Sequence, residues 1–379
     1  EIKDTDACRR YSALTISNIR IAESPEWLKS KLKSIGVKPI SNIVDITNFI
    51  LHETGQPLHA FDAEKIHGKK VIVRHADAGE LFTTLDGKER KLFADDLLIA
   101  DVAGGMCIAG VYGGIHSGVT TETTSIFLES AWFNPASIRA TSLKHDLRTD
   151  AAARFEKGTD ISNTVQVLQR AAQLICEIAG GSIAGELIDI YPVPAKKTVV
   201  SLLYGYLEKL SGKKYPAAIV INILSGLGFK IVNESTDGLT VEVPYSKPDI
   251  SLPADLVEEI MRIDGLDNID IPKTISIAPS VEKNNEKYIV KEKLAGYFTG
   301  QGFYEIFTNS ITNSRFYSNE VLQSAVKMIN SLSNDLDIMR PMMLQGGLQV
   351  IAHNNNRKIT SLRLFEFGKT YAASPGNTY

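Results

Sequence analysis

Helix-like and strand-like runs of apolar residues alternate through the first half of the chain. Pro25 to Ile35 reads as a helix: Ser24-Pro25-Glu26 offers an N-cap side chain, a proline at the first helical position and an acid in the first turn. Val71-Ile72-Val73-Arg74 has the pattern of a strand, and Asp86-Gly87 inside Thr83 to Glu89 predicts a tight hairpin. Ala109 to Gly114 is glycine-rich, Ile126 to Ala131 is an apolar strand interrupted by one acid, and Asp160 to Ile178 is a helix closed by Gly180-Gly181. The pattern then changes. Two short helices, Ser201 to Leu210 and Pro216 to Leu227, precede a hairpin of Gly228 to Val232 and Leu239 to Val243 turned by Asp237-Gly238, and a third helix covers Pro253 to Ile263. A last region predicts a helix at Ile289 to Gly302 and two strands, Tyr304 to Asn309 and Leu362 to Gly368, taken as antiparallel.

Prolines and polar runs divide these elements. Ile190 to Lys197 holds two prolines and a charge pair, and Ile271 through Glu286 is rich in Lys, Glu, Ser and Asn, which gives three segments of about 1–195, 196–275 and 284–379. The 379 residues accommodate two or three domains at roughly 100–200 residues each. An α+β multidomain architecture is expected: a mixed α/β domain, a winged-helix-like module and an antiparallel domain that stops short. The opening and closing residues suggest a piece of something longer.

Charge and composition remove several classes. Lys and Arg number 41 against 44 Asp and Glu, so the whole chain is not a cationic clamp for nucleic acid. Three cysteines without C-x-x-C spacing suggest neither a disulfide framework nor a zinc knuckle and fit a cytoplasmic setting. No apolar run reaches the roughly 18 residues of a spanning helix, and Gly104-Gly105 and Gly113-Gly114 fit neither nucleotide-binding glycine pattern.

Three constellations carry candidate chemistry. Asn42 to Asn48 and Gly55 to Asp62 place Asn42, Asp45, Thr47, Asn48, His59 and Asp62 among apolar neighbours, which means either a pocket or a network bracing loops. Glu129 lies on a strand that should be buried, so it either faces a polar ligand or pairs with Arg139 or Arg154. Asp255, Glu258 and Glu259 stand at i, i+3 and i+4 on one helix with Asp249 just before it. Such oxygens suit Mg²⁺ or Ca²⁺, although acids near a helix start are also favoured by the macrodipole alone.

Together, Asn42 to Asn48, Gly55 to Asp62, Leu128 to Ala131 and Lys144 to Gly158 resemble the B3/B4 region of bacterial phenylalanyl-tRNA synthetase β subunits. The resemblance continues through the B5 domain, with Pro248 to Ile250 and Asp255 to Glu259. It then enters a partial class II synthetase-like domain at Met339-Arg340-Pro341 and Leu364 to Gly368. It implies a post-transfer editing site that hydrolyses tyrosine wrongly esterified to tRNA(Phe). An apolar synthetic pocket discriminates poorly against an added hydroxyl, so a second site must read it. On that resemblance Glu129 accepts the tyrosine hydroxyl, His59 and Thr47 line the reactive end, Ala109 and Gly110 leave room for the ring, and Thr149 and Ala151 shape the wall.

The resemblance also implies Mg²⁺ on Asp249, Asp255, Glu258 and Glu259, shared with an α subunit. That subunit would use ATP for aminoacylation inside an (αβ)₂ heterotetramer that binds tRNA(Phe). Two other readings compete. One is a scaffold for α and tRNA with a decayed pocket, against which Glu129, Thr149 and Ala151 argue. The other is a winged-helix DNA-binding regulator, which the net acidity disfavours.

Overall fold

The structure, a computed structural model, describes residues 1–274, 277–278 and 285–373. It forms two compact units, Glu1–Pro272 and Lys273–Tyr379. The first unit contains both expected N-terminal segments, each around its own buried cluster or clusters.

The chain runs β1 (Cys8–Ser17), α1 (Glu26–Ser34), α2 (Asn42–Thr54) and β2 (Leu58–Asp62), followed by β3 (Ile72–His75), β4 (Leu81–Thr83) and β5 (Glu89–Lys91). After these come β6 (Leu97–Ala100), β7 (Gly105–Ile108), β8 (Tyr112–Gly113) and β9 (Ser125–Phe133). Then follow α3 (Pro135–His145), α4 (Asp150–Phe155), α5 (Thr164–Ala179), β10 (Ser182–Ile183) and β11 (Ile188–Ile190). The main sheet has the order β10-β1-β9-β2 with β11 also on β1, and a second sheet has the order β3-β6-β7-β8.

Strand periodicity sets what each face of the main sheet meets. Leu14, Ile16, Ile126 and Leu128 join Ile43, Ile46, Ile50, Leu168 and Ile175 in a cluster, so the helices cover that face. Tyr11, Ala13, Phe61, Ala131 and Phe133 point the other way and join Leu98, Ile99, Met106 and Cys107 of the second sheet. Burying each large apolar side chain stabilises by roughly 1.5–3 kcal/mol, which leaves few ways to shift the register without exposing a whole face. Glu129 belongs to the inter-sheet face.

Two predicted starts move. Pro25, not Ser24, is the N-cap of α1, and it has no side-chain capping bond. Ser24 Oγ instead donates to Asp45 Oδ2 at 2.6 Å, because a buried carboxylate competes better for the hydroxyl. The helix expected from Asp160 begins at Thr164, since Asp160 accepts from the Ser162 amide in a preceding turn. The Asp86-Gly87 hairpin forms between β4 and β5, with Gly87 at φ 76°.

The next segment is β12 (Val199–Leu203), α6 (Tyr204–Ser211), α7 (Ala217–Gly226), β13 (Lys230–Glu234), β14 (Gly238–Glu242) and α8 (Pro253–Asp264). Ser201 to Leu203, expected to open a helix, form part of a strand that pairs with β14. The two-stranded wing is thereby a three-stranded sheet, because Val200 and Leu202 alternate into the same cluster as Leu239 and Val241.

The second unit holds α9 (Glu286–Gly300), β15 (Tyr304–Glu305), β16 (Ile311–Thr312), α10 (Asn319–Leu322), β17 (Ile338–Met339), α11 (Leu344–Asn355) and β18 (Leu364–Phe365). β15 and β18 are parallel, not antiparallel as expected, while β16 and β17 pair antiparallel. The Arg340 guanidinium pairs with Glu366 at 2.9 Å inside this unit. Half of the polar run expected to separate the last two segments, 275–276 and 279–284, lies outside the described residues.

Candidate functional site

Glu129 is 5% exposed on the inter-sheet face of β9. It has no arginine partner: its Oε2 accepts the Tyr11 hydroxyl at 2.7 Å, and among the described residues no donor reaches Oε1. Burial pushes the carboxyl up from 4.5 to about 7, and the Tyr11 bond pulls partly the other way. The Tyr11 phenol is raised well above 10 by burial and by the neighbouring Glu129 charge, and Cys107 is raised by the same two causes. The pairing with Arg139 or Arg154, open on sequence grounds, does not form.

The antiparallel register places His59 of β2 directly opposite Glu129. Its ring lies edge-on to Phe61 with centroids 4.4 Å apart, and apolar surroundings push its pKa down from 6.5 to about 4. Neither ring nitrogen has a hydrogen-bond partner among the described residues. His59 keeps some accessible surface and stays neutral at pH 7. A β-carbon at Gly113 would sit 3.0 Å from the His59 ring, so β8 lies against that ring only because residue 113 lacks one.

The turn expected to leave room for a ring is closely packed on the side where a Gly110 β-carbon would point. Gly110 adopts φ 65°, and a β-carbon there would approach Phe155 at 2.9 Å and Phe133 at 3.0 Å. Thr149 is the N-cap of α4: its Oγ1 accepts from the Ala152 amide at 3.1 Å and donates to the Val111 carbonyl at 3.0 Å. This double bond to helix and turn locks the Ala109-Gly110-Val111 turn to α4, whose first turn carries Ala151. Ala109 is buried. Thr47 differs: it sits on α2, a helix of the opposite face, and spends its hydroxyl on the Val44 carbonyl at 2.8 Å. It makes no hydrogen bond to His59 or Glu129 among the described residues.

The other polar residues of that stretch brace loops. Asn42 donates to the Arg20 carbonyl at 2.9 Å, Asp45 accepts from Ser24 and from the Ile40 amide, and Asp62 accepts from Thr123 at 2.7 Å. Tyr11 is the functional candidate that sequence reasoning missed. The strand that carries it, β1, was not among the elements read from the sequence, and nothing local identified its partner 118 positions away. Tyr11 also helps line a cleft of about 680 Å³ on the same sheet face, beside Thr15, Ser17, Ser125 and Phe127.

Two of the four carboxylates near α8 are already engaged, each with its own partners. Asp255 Oδ2 accepts from the Ser251 and Leu252 amides at 2.8 and 2.7 Å. Glu259 is held by Lys247 at 2.5 Å and by Arg262 at 2.8 Å; the Arg262 hydrogen bond, opposed by burial and aided by Lys247, brings its pKa to about 2. Asp249 and Glu258 are exposed. Among the described residues no three His, Cys, Asp or Glu side chains gather as a metal site, so this arrangement does not fit the expected Mg²⁺ cage.

Comparison with known proteins places this architecture among the aminoacyl-tRNA synthetases. A B3/4 domain profile matches residues 7–180, a tRNA synthetase B5 domain profile matches 200–266, and a phenylalanyl tRNA synthetase beta chain CLM domain profile matches 271–378. The chain belongs to the phenylalanyl-tRNA synthetase β-subunit family. It is 44% identical over 374 residues to the phenylalanine--tRNA ligase beta subunit of Bacteroides fragilis, covering 98% of this chain and 46% of that one. The subunit of Porphyromonas gingivalis is 44% identical over 376 residues, covering 98% and 46%, and that of Carboxydothermus hydrogenoformans 41% over 378, covering 98% and 47%. The chain thus spans about half the length of these curated relatives. An N-terminal fragment of the synthetase beta-subunit from Pyrococcus horikoshii aligns over 69% of this chain and 72% of its own, at TM-score 0.34 and 14% identity, too distant to carry an argument. Among the described residues no helix is long and apolar enough to cross a membrane.

Proposed function

We propose that this chain works within a phenylalanine--tRNA ligase, with aminoacylation and ATP use belonging to an α-subunit partner in an (αβ)₂ assembly in the cytoplasm. In this reading the B3/4 region hydrolyses tyrosine esterified to tRNA(Phe). The observation that carries it is Glu129, a buried carboxyl that already accepts one phenol hydroxyl and that, among the described residues, has no cation beside it and no donor to its second oxygen.

A tyrosine ring entering between the sheets would donate its hydroxyl to Oε1. Phenylalanine would cover that oxygen without pairing it, an unmet desolvation of about 1–3 kcal/mol or more for a charged acceptor. Water then attacks the ester carbonyl, the tetrahedral intermediate expels the ribose oxygen, and free tyrosine and uncharged tRNA leave. His59 holds that water as a neutral hydrogen-bond acceptor. With a pKa of about 4 it is a weak proton acceptor at pH 7, so positioning is its main contribution.

A metal at α8 would have to draw Glu259 away from Lys247 and Arg262, leaving Asp249 and Glu258 as the carboxylates most ready to contribute. The test is deacylation of tyrosyl-tRNA by the assembled enzyme with Glu129→Ala. Loss of hydrolysis of the tyrosyl ester with aminoacylation retained is expected, and unchanged deacylation overturns the assignment.

A further inference from the structure

Glu129 can read a hydroxyl sharply only if it presents a charged oxygen, and its surroundings work against charge. The groups facing it come from three strands: Tyr11 and Cys8 on β1, His59 on β2 and Cys107 on β7, where Cys107 feels its charge. None is a cation at pH 7, since burial holds the thiols and phenol protonated and keeps the imidazole neutral. Among these four, only Tyr11 hydrogen-bonds the carboxyl.

We propose that Tyr11 is a specificity-determining positioning residue: its hydroxyl pins Glu129 Oε2 and stabilises the carboxylate, so that Oε1 is aimed and charged for the hydroxyl of an incoming tyrosine. The inference rests on the editing reading of Glu129 and goes beyond it by assigning the internal donor on which that discrimination depends. Tyr11 touches neither the ester nor the water. Its effect passes through Glu129.

The geometry makes this separable from simple packing. Phenylalanine at position 11 keeps the ring in the buried cluster and removes one oxygen. Without that donor the carboxyl is neutral to higher pH, and a neutral carboxyl accepts a weaker hydrogen bond from the substrate phenol than a charged one does. Because His59, the two thiols and Tyr11 keep their protons fixed between about pH 5.5 and 8.5, Glu129 is the one group of this set that changes charge across that window.

The experiment is calorimetric titration of this chain with tyrosine and with phenylalanine across that pH window, for the unsubstituted chain, Tyr11→Phe, Glu129→Gln and the double variant. The tyrosine-to-phenylalanine affinity ratio cancels titration of the shared α-amine. The ratio is expected to rise with pH in the unsubstituted chain. In Tyr11→Phe it should fall about tenfold at pH 7 and recover as pH rises. In Glu129→Gln and in the double variant it should be flat and alike. A Tyr11→Phe ratio with an unchanged pH profile overturns the inference while leaving the editing reading intact, as does a uniform loss that higher pH fails to restore. No tyrosine preference in the unsubstituted chain at any pH overturns the site reading, and this inference with it. Thermal melts of each variant separate a folding defect from a change in the ratio.

Discussion

Two buried glutamates in the first compact unit have opposite fates. Glu129, between the two sheets, has a phenol for company and is pushed up to about 7; Glu259, on α8, is held by a lysine and an arginine and drawn down to about 2. They are 5% and 9% exposed, so accessibility alone does not separate them. The difference lies in the neighbours: Glu259 has found its cations within the fold, whereas among the described residues the one hydrogen-bond donor to the Glu129 side chain is the Tyr11 hydroxyl. An acid held by the fold's own cations is a structural device, while a buried acid with few partners is the better candidate for ligand reading.

The largest expected effect on that contrast is in the pH dependence of stability. Glu129 has a folded-state pKa raised above its unfolded value, so the stability it allows is fully present below about 4.5 and is lost as pH rises through about 7. The step from 4.5 to about 7 corresponds to about 3 kcal/mol. Urea unfolding of Glu129→Gln against the unsubstituted chain should show the variant gaining by about that amount between pH 4.5 and 8.5; parallel curves would mean that Glu129 is not desolvated. His59, with its depressed pKa, acts in the opposite sense: its contribution is present above 6.5 and lost as pH falls through about 4. That acid-side loss should persist in Glu129→Gln.

A smaller effect belongs to the other glutamate. Glu259→Gln is expected to lose about 1–2 kcal/mol at pH 7, a figure discounted because Arg262 is 52% exposed and screened by solvent. The Glu259 contribution is present above 4.5 and disappears as pH falls through about 2. A salt titration of the melting temperature checks this, and no difference from the unsubstituted chain would show the pair to be inert. The smallest effect is at Thr149→Val, where loss of the cap of α4 and of the tie to Val111 should cost about 1 kcal/mol. Urea midpoints measure it; an unchanged midpoint would detach α4 from the Ala109 to Val111 turn.

The same contrast shows how far the sequence could be read. Ile126 to Ala131 announced a strand with an acid on it, and the apolar run correctly implied burial of Glu129. Pairing was another matter: Tyr11 and Glu129 meet only because β1 and β9 are neighbours in an antiparallel register, which no local pattern encodes. Helical spacing put Asp255, Glu258 and Glu259 near one another, but it could not reveal that backbone amides and two cations would take up Asp255 and Glu259. Ser201 to Leu203 misled because a short apolar run fits helix or strand, and pairing with β14 decided it. Asp45 and Asn42 carried a strong polar-in-apolar signal that turned out to brace loops, whereas His59, in the same stretch, faces Glu129.

The most direct test is a side-by-side titration of the unsubstituted chain at pH 8 with free tyrosine and free phenylalanine. If a charged, partner-poor carboxylate reads the hydroxyl, tyrosine binds tighter by about tenfold or more. Equal affinities, or a preference for phenylalanine, would contradict the account.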